Sequence, residues 1–298
     1  MRSKPIFTPS DLRRFTALGR GMGTYENYIP WHRVSRSDPS SMGRSHLQLW
    51  RGRQRELLSD QELVALLFST MHPDVVDIRE QFALNLHSCS HELNSYQIGS
   101  RTGAFSGTIE LAEQMKMKHP TVSEHGIAAP WIMTTDLLLT LRTHEGFQLL
   151  AISVKPSNVW TGKRTKFLLG LEREYWACRN VPWLLITQSL YDTQVADLLK
   201  GNSYWALGGT DSALLAHWLC QHVQDFNQRD LTHVLRKIEQ YCGCPETAKL
   251  GFWGAVWTGK LPFDLRRSWR PSSPLILLAE QEFWEINPIV SGRSAWQA

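Results

Sequence analysis

Two long β-type runs separated by a short turn restrict the fold of this chain more than any other feature. The first spans Trp131–Arg142 and contains Thr134-Thr135-Asp136-Leu137-Leu138-Leu139. The second spans Phe147–Lys155 and contains Leu149-Leu150-Ala151-Ile152-Ser153-Val154-Lys155. His144-Glu145-Gly146 between them is short enough for a hairpin. Pro156 closes the second run, because it has no N–H to give to a ladder. Upstream, Ser59-Asp60-Gln61-Glu62 precedes the apolar run Leu63–Phe68, a helix-start signal with Glu three residues after Ser. Val75–Phe82 is rich in β-formers and reads as a strand, and a helix is expected over Thr108–His119. A charged helix over Lys163–Arg179 and a continuous apolar strand over Val181–Thr187 follow the hairpin. Helix, strand, helix, hairpin, helix, strand is the order of an α/β sandwich with a mixed sheet.

Beyond Gln188 the texture changes. Helices are expected at about Asp211–Asn227, Asp230–Cys242 and Pro245–Thr258. Leu261–Leu265 and Pro274–Leu278 then flank the basic connection Arg266-Arg267-Ser268-Trp269-Arg270. Three helices and a β-hairpin are the layout of a winged helix-turn-helix. The expected division is therefore 1–188 and 189–298, within the usual range of domain sizes. Internal repeats and low-complexity tracts are absent from the sequence.

No apolar run approaches the roughly 20 residues needed to cross a bilayer. Met1-Arg2-Ser3-Lys4-Pro5 lacks the apolar core of a secretory signal, so a cytoplasmic protein is expected. The five cysteines, Cys89, Cys178, Cys220, Cys242 and Cys244, form no CxxC pair, and an odd count argues against a disulfide framework. His217, Cys220 and His222 lie close together on an expected helix. In a Trp- and Leu-rich segment they read as core and cap residues rather than as a zinc site.

The formal charge of +4 is unevenly spread. Residues 1–58 hold eleven basic residues against Asp11, Glu26, Asp38 and Glu56, a balance of +7, which leaves −3 for the rest. This segment, up to about residue 56, reads as an irregular arm with one short helix at Pro9–Leu18. Ten of its basic residues are arginine, whose planar fork suits phosphate oxygens. Interleaved Tyr25, Tyr28, Trp31 and Trp50 strengthen a nucleic-acid reading. Arg44, Arg51, Arg53 and Arg55 are the candidate DNA contacts; a solvated arm or a docking surface for another protein is the alternative.

Asp136, Ser153, Lys155 and Glu62 form the constellation with the most chemistry. Strand alternation puts Ser153 and Lys155 on one face, and pairing across the hairpin can set Asp136 beside them. Carboxylates of this kind hold magnesium, while a lysine orients the nucleophile or supports developing charge. Glu62 has a second reading as the capping partner of Ser59, and Lys155 as an exposed strand-end lysine. Asp136 is harder to set aside, since an unpaired carboxylate in an apolar strand is costly.

Several segments resemble, in order, signatures of the TnsA family, the endonuclease subunit of heteromeric cut-and-paste transposases. They are Tyr28-Ile29-Pro30, Gly43-Arg44, Leu57–Leu63, Asp77–Phe82 and His119-Pro120, then Thr134-Thr135-Asp136, Val154-Lys155-Pro156, Leu171–Trp176 and Val181-Pro182-Trp183. The resemblance spans about residues 25–190, with the remainder matched mainly by layout. It implies a restriction-endonuclease-like catalytic domain, a C-terminal winged-helix domain, and Mg2+-dependent cutting of the 5′ strands at transposon ends, with Mn2+ as a substitute ion. It also implies a partner transposase, TnsB, for the 3′ strands and an ATP-dependent regulator, TnsC, that contacts this protein. In these terms Glu62 and Asp136 are metal ligands and Lys155 is the catalytic lysine.

The position two before the lysine is often Gln or Glu in such nucleases, but it is Ser153 here. The expected substitutes are the Val154 carbonyl as a metal contact, or Glu172 or Glu174 leaning in from the next helix, with Ser153 acting through water. Two other functions share these residues: a stand-alone restriction or repair nuclease of the same fold, and a catalytically silent DNA-binding adaptor.

Overall fold

Strands that bury side chains on both faces build the central sheet in the computed structural model of the chain, which describes residues 7–35, 44–99, 101–157, 160–209, 213–267 and 270–296. The chain divides into two compact units, one of Met1–Leu63 with Asp74–Ile186 and the other of Val64–Pro73 with Thr187–Gln297.

The first unit opens with α1 (Pro9–Ala17), started by a capping box between Thr8 and Asp11 and by Pro9 in the first turn. The hairpin of β1 (His46–Trp50) and β2 (Arg53–Leu57) follows, then α2 (Asp60–Thr70), which belongs to the second unit from Val64 onwards, and β3 (Val75–Ala83) in the first. Next come α3 (Thr108–Gln114), a second small hairpin of β4 (Thr121–Glu124) and β5 (Ile127–Pro130), β6 (Thr134–Thr143), β7 (Gly146–Val154), α4 (Lys163–Ala177) and β8 (Trp183–Ile186). The main sheet has the order β3-β6-β7-β8. β3, β6 and β7 run antiparallel in turn, and β8 lies parallel to β7. Parallel neighbours need a crossover, and α4 supplies it. Thr143 pairs with Gly146, so the β6–β7 turn has two central residues, and Gly146 takes a φ of +116° there. Leu138, Leu149 and Ala151 pack with Leu171, Tyr175 and Trp176 of α4 and Leu111 of α3. Leu137, Leu139 and Ile152 are also fully buried.

The second unit contains α5 (Thr193–Leu207), α6 (Ala213–His222), α7 (Leu231–Cys242), α8 (Pro245–Trp257) and α9 (Glu280–Glu285). Asp230 caps α7, which ends at Gly243 in the left-handed conformation. A Cβ on Gly251 would fall 2.4 Å from Leu215 Cδ2, so glycine lets α8 approach α6. Asn287 donates to the Phe68 carbonyl and Trp257 to Thr70 Oγ1, which ties the end of α2 into this unit. No helix among the described residues is long and apolar enough to cross a membrane.

Four expectations are corrected. The arm is not irregular throughout, since residues 46–57 form the β1–β2 hairpin. The helix expected to reach His119 stops at Gln114, and Lys116 turns to a φ of +55°. α5, β4 and β5 lie where no element was expected. The two C-terminal apolar runs meet at one antiparallel bridge, Phe263 to Leu277, rather than as two full strands.

The cause of the β1–β2 hairpin lies far along the chain. Arg53 forms a two-pronged pair with Glu80, 2.6 Å at each prong, and donates to the Ile78 carbonyl. Arg55, almost fully buried, also donates to Ile78 O and lies 3.7 Å from Asp77 and 3.8 Å from Glu80. Breaking such a pair from one side strands a buried charge, which costs about 3–5 kcal/mol. Arg53→Ala is therefore expected to lower stability by about 3 kcal/mol in urea unfolding. Arg51→Ala, at an exposed position, is expected to change it by about 0.5 kcal/mol or less.

Candidate active site

Glu62 enters the site through the start of α2. Ser59 Oγ accepts from the Glu62 N–H, while the Glu62 carboxylate accepts from the Leu58 N–H at 2.9 Å and the Ser59 hydroxyl at 3.1 Å. The capping and functional readings of Glu62 are thus compatible, because Gln81 Nε2 also reaches Glu62 Oε2 at 3.1 Å and lies 3.5 Å from Asp136 Oδ1. Gln81 is held from its other end by the Thr134 hydroxyl. Its φ of +48° is a strained conformation for a side chain of this size.

Asp136 stands on β6. Its Oδ2 accepts from the Val154 N–H at 2.7 Å and from Lys155 Nζ at 2.8 Å. Lys155 Nζ also donates to the Val154 carbonyl at 2.9 Å. The lysine ammonium therefore bridges the two oxygens that the sequence marks as metal contacts.

Glu172 of α4 joins this cluster, whereas Glu174 is exposed and takes no part. Its Oε1 accepts from the Ser153 hydroxyl at 2.5 Å and the Thr135 hydroxyl at 2.7 Å. Trp183 Nε1 donates to Ser153 Oγ, and Trp176 Nε1 to Thr135 Oγ1. Ser153 is fully buried and engaged by these protein groups, so the expectation that it works through water gives way to one in which it anchors Glu172. Gln81 and Thr135 were not singled out from sequence. The positive φ that makes Gln81 conspicuous has no local sequence signal, and Thr135 acquires its partners only from α4.

Glu62, Asp136 and Glu172 are each less than a tenth exposed. Burial, with Asp136 adding to it, pushes Glu62 up to about 7, against the pull of Leu58, Lys155 and Ser59. Burial and Asp136 likewise push Glu172 up to about 7. Burial disfavours the Lys155 ammonium, but Asp136 and Glu172 outweigh it and its pKa is raised. With all carboxylates ionised the four groups carry −3 and +1, a net −2 that a divalent cation would neutralise.

The donors are hard oxygens, the type that magnesium and manganese prefer. Among the described residues no three His, Cys, Asp or Glu side chains converge enough to hold a metal by themselves. Two carboxylates with a main-chain carbonyl and a substrate phosphate suffice for magnesium, so the residues fit that ion. His222 of the His217/Cys220/His222 group stacks on Trp218 and bonds its carbonyl.

The four arginines expected to touch DNA separate. Arg53 and Arg55 are buried in ion pairs, which removes them from any phosphate contact. Arg44 is paired with Asp60 but its side chain is 80% exposed. Arg51 is exposed, lies over the Trp50 ring and donates to the Val76 carbonyl. Arg2, Lys4, Arg36 and Gly43 lie outside the described residues.

Residues 72–188 match a family model described as the TnsA-like endonuclease N terminal. The chain is 30% identical over 246 residues to the transposon Tn7 transposition protein TnsA of Escherichia coli, covering 80% of this chain and 79% of that protein.

The raised carboxylates have a measurable consequence. Glu62 and Glu172, raised from 4.5 to about 7, stay protonated in the folded metal-free protein over a range where the unfolded chain has released those protons. The stability they contribute is complete below about 4.5 and is lost as pH rises through about 7. In chelator, the urea midpoint is expected to fall more steeply across that window for the wild type than for Glu172→Gln. Equal slopes would mean that Glu172 does not titrate there.

Proposed function

Because this chain belongs to the TnsA family of transposition endonucleases, we propose that it is an Mg2+-dependent DNA endonuclease cutting the 5′ strands at transposon ends. It acts beside a TnsB-like transposase that handles the 3′ strands. The observation that carries this reading is the pairing of the part-exposed Lys155 with Asp136 beside the buried carboxylates of Glu62 and Glu172.

Glu62, Asp136 and the Val154 carbonyl would hold Mg2+, with Mn2+ as a substitute, and such an ion would supply Lewis acidity towards the phosphodiester and a lowered pKa for a water. Gln81 fixes Glu62 and Asp136 relative to one another, and the strain at its backbone is consistent with a residue held for that purpose. Lys155 stays charged, because Asp136 and Glu172 raise its pKa, and it orients the attacking oxygen or stabilises charge that develops on the phosphate. Glu172 takes the place of the Gln or Glu usual two residues before the lysine, with Ser153 and Thr135 fixing its carboxylate.

The catalytic domain is residues 1–188 with its basic arm. Residues 189–298 form a winged-helix domain, in which α6, α7 and α8 are the three helices and the Phe263–Leu277 bridge closes the wing. This domain contacts a TnsC-like ATPase regulator. Arg44 and Arg51 remain as phosphate contacts, and the protein works in the cytoplasm.

Asp136→Asn and Lys155→Ala are each expected to reduce 5′-strand cleavage of labelled transposon-end DNA about 100-fold or more. The assay contains the partner transposase, and 3′-strand cutting should persist. Full 5′ cleavage by either folded variant would remove the assignment. A second measurement concerns the arm. Converting Arg44 and Arg51 to Gln should lower the salt dependence of DNA binding by up to about two counterions while leaving metal affinity unchanged. Sequence preference should hold, since phosphate contacts carry no base information directly.

A further inference from the structure

We propose that the cleft beside β3 is a phosphate-binding subsite, with Arg79 as its anchor, which takes a DNA backbone phosphate flanking the cleavage position. The cleft has a volume of about 710 Å3 and is walled by Arg79, by the Arg20–Gly23 turn and by the loop carrying His87, Ser88 and Ser90.

The argument rests on Arg79 itself, which is 2% exposed. Its guanidinium lies 4.6 Å from the Phe82 ring centroid and 5.0 Å from that of Tyr96. Among the described residues Nε and Nη2 have no hydrogen-bond partner, and no ion pair is formed. Arg53 and Arg55 also leave Nε unpartnered, but they and Arg179 differ from Arg79 in having a carboxylate beside the guanidinium. Arg53 pairs with Glu80, Arg55 lies by Glu80 and Asp77, and Arg179 pairs with Glu92. A buried guanidinium without an acceptor is costly unless an anion completes it.

The nearby acids do not fill that role. Asp77 accepts from the Tyr96 hydroxyl and the Tyr25 N–H and faces Arg55. Glu92, which also lines the cleft, is bound by Arg179 and Tyr175. The cleft therefore holds a cation whose charge is not matched locally, and exposed hydroxyls at Ser88 and Ser90 line it. Arg79 lines the cleft with two unpartnered nitrogens, and a planar guanidinium carries its donors in the fork that phosphate oxygens accept. An apolar ligand would leave that charge stranded, and a metal cation would be repelled.

The owner of the phosphate follows from position, and this step rests on the nuclease reading. Arg79 precedes Gln81 by two residues on β3, about 7 Å along the strand. A phosphate bound there belongs to the backbone next to the one being cut.

The test uses the full chain with a fluorescent DNA duplex in chelator, together with melting temperatures measured with and without inorganic phosphate. Arg79→Met removes a stranded charge, so its melting temperature should hold or rise. Its DNA affinity should nevertheless fall about tenfold, with a salt slope smaller by about one. Phosphate should raise the melting temperature of the wild type and not that of the variant. Unchanged DNA affinity and salt slope would overturn the proposal. Phosphate protection with unchanged DNA binding would also overturn it, by making this a free-phosphate site. Should Arg79→Met fold poorly, Arg79→Lys keeps the charge and loses the planar fork, and it should retain the salt slope while binding more weakly. Asp136→Asn separates the two readings, because it should bind DNA like the wild type without cutting it. A wild type that never cuts would remove the nuclease reading and leave the binding result standing.

Discussion

Three carboxylates held almost out of water with one ammonium among them are the constraint around which the first unit is organised. Like charges at close range in a low-dielectric setting repel strongly, and burial adds to the cost of ionising them. The fold meets this partly by keeping Glu62 and Glu172 high, near 7, and partly by giving every carboxylate specific donors. Asp136 takes the Val154 N–H and Lys155, Glu62 takes the Leu58 N–H and the Ser59 hydroxyl just ahead of α2, and Glu172 takes two hydroxyls.

The architecture follows from that demand. Asp136 and Lys155 come together because β6 and β7 are antiparallel with a two-residue turn. Glu172 arrives because β7 and β8 are parallel, which requires a crossover, and the crossover helix packs on the face where Ser153 and Thr135 lie. Gln81 reaches the site from the edge strand at the cost of a left-handed backbone. Such strain persists only where the surroundings over-determine it.

Arginine serves two separate purposes here. Arg53, Arg55 and Arg179 are internal struts that satisfy buried acids and carbonyls. Arg44 and Arg51 face solvent. The same residue type therefore contributes to folding at one position and to surface potential at another, two positions away in the case of Arg51 and Arg53. Net charge of a segment measures neither separately.

Much of this was legible in sequence. The β6–β7 hairpin, α2, α4 and β8, and the grouping of Asp136 with Lys155, follow from periodicity, turn length and capping, which act within a few residues. The Ser59–Glu62 box was local as well. What sequence could not decide was anything that depends on a distant partner. β1 and β2 read as an irregular arm because their arginines owe their order to Glu80, 25 or more residues away. Gln81 and Thr135 became site residues only when three strands and a helix met. Glu172 rather than Glu174 is bonded to Ser153 and Thr135 because of which face of α4 turns to the sheet. Local sequence determined which elements form, because their energetics are short-ranged. Only tertiary structure decided which charges are buried together, because solvation and pairing depend on what packs around them.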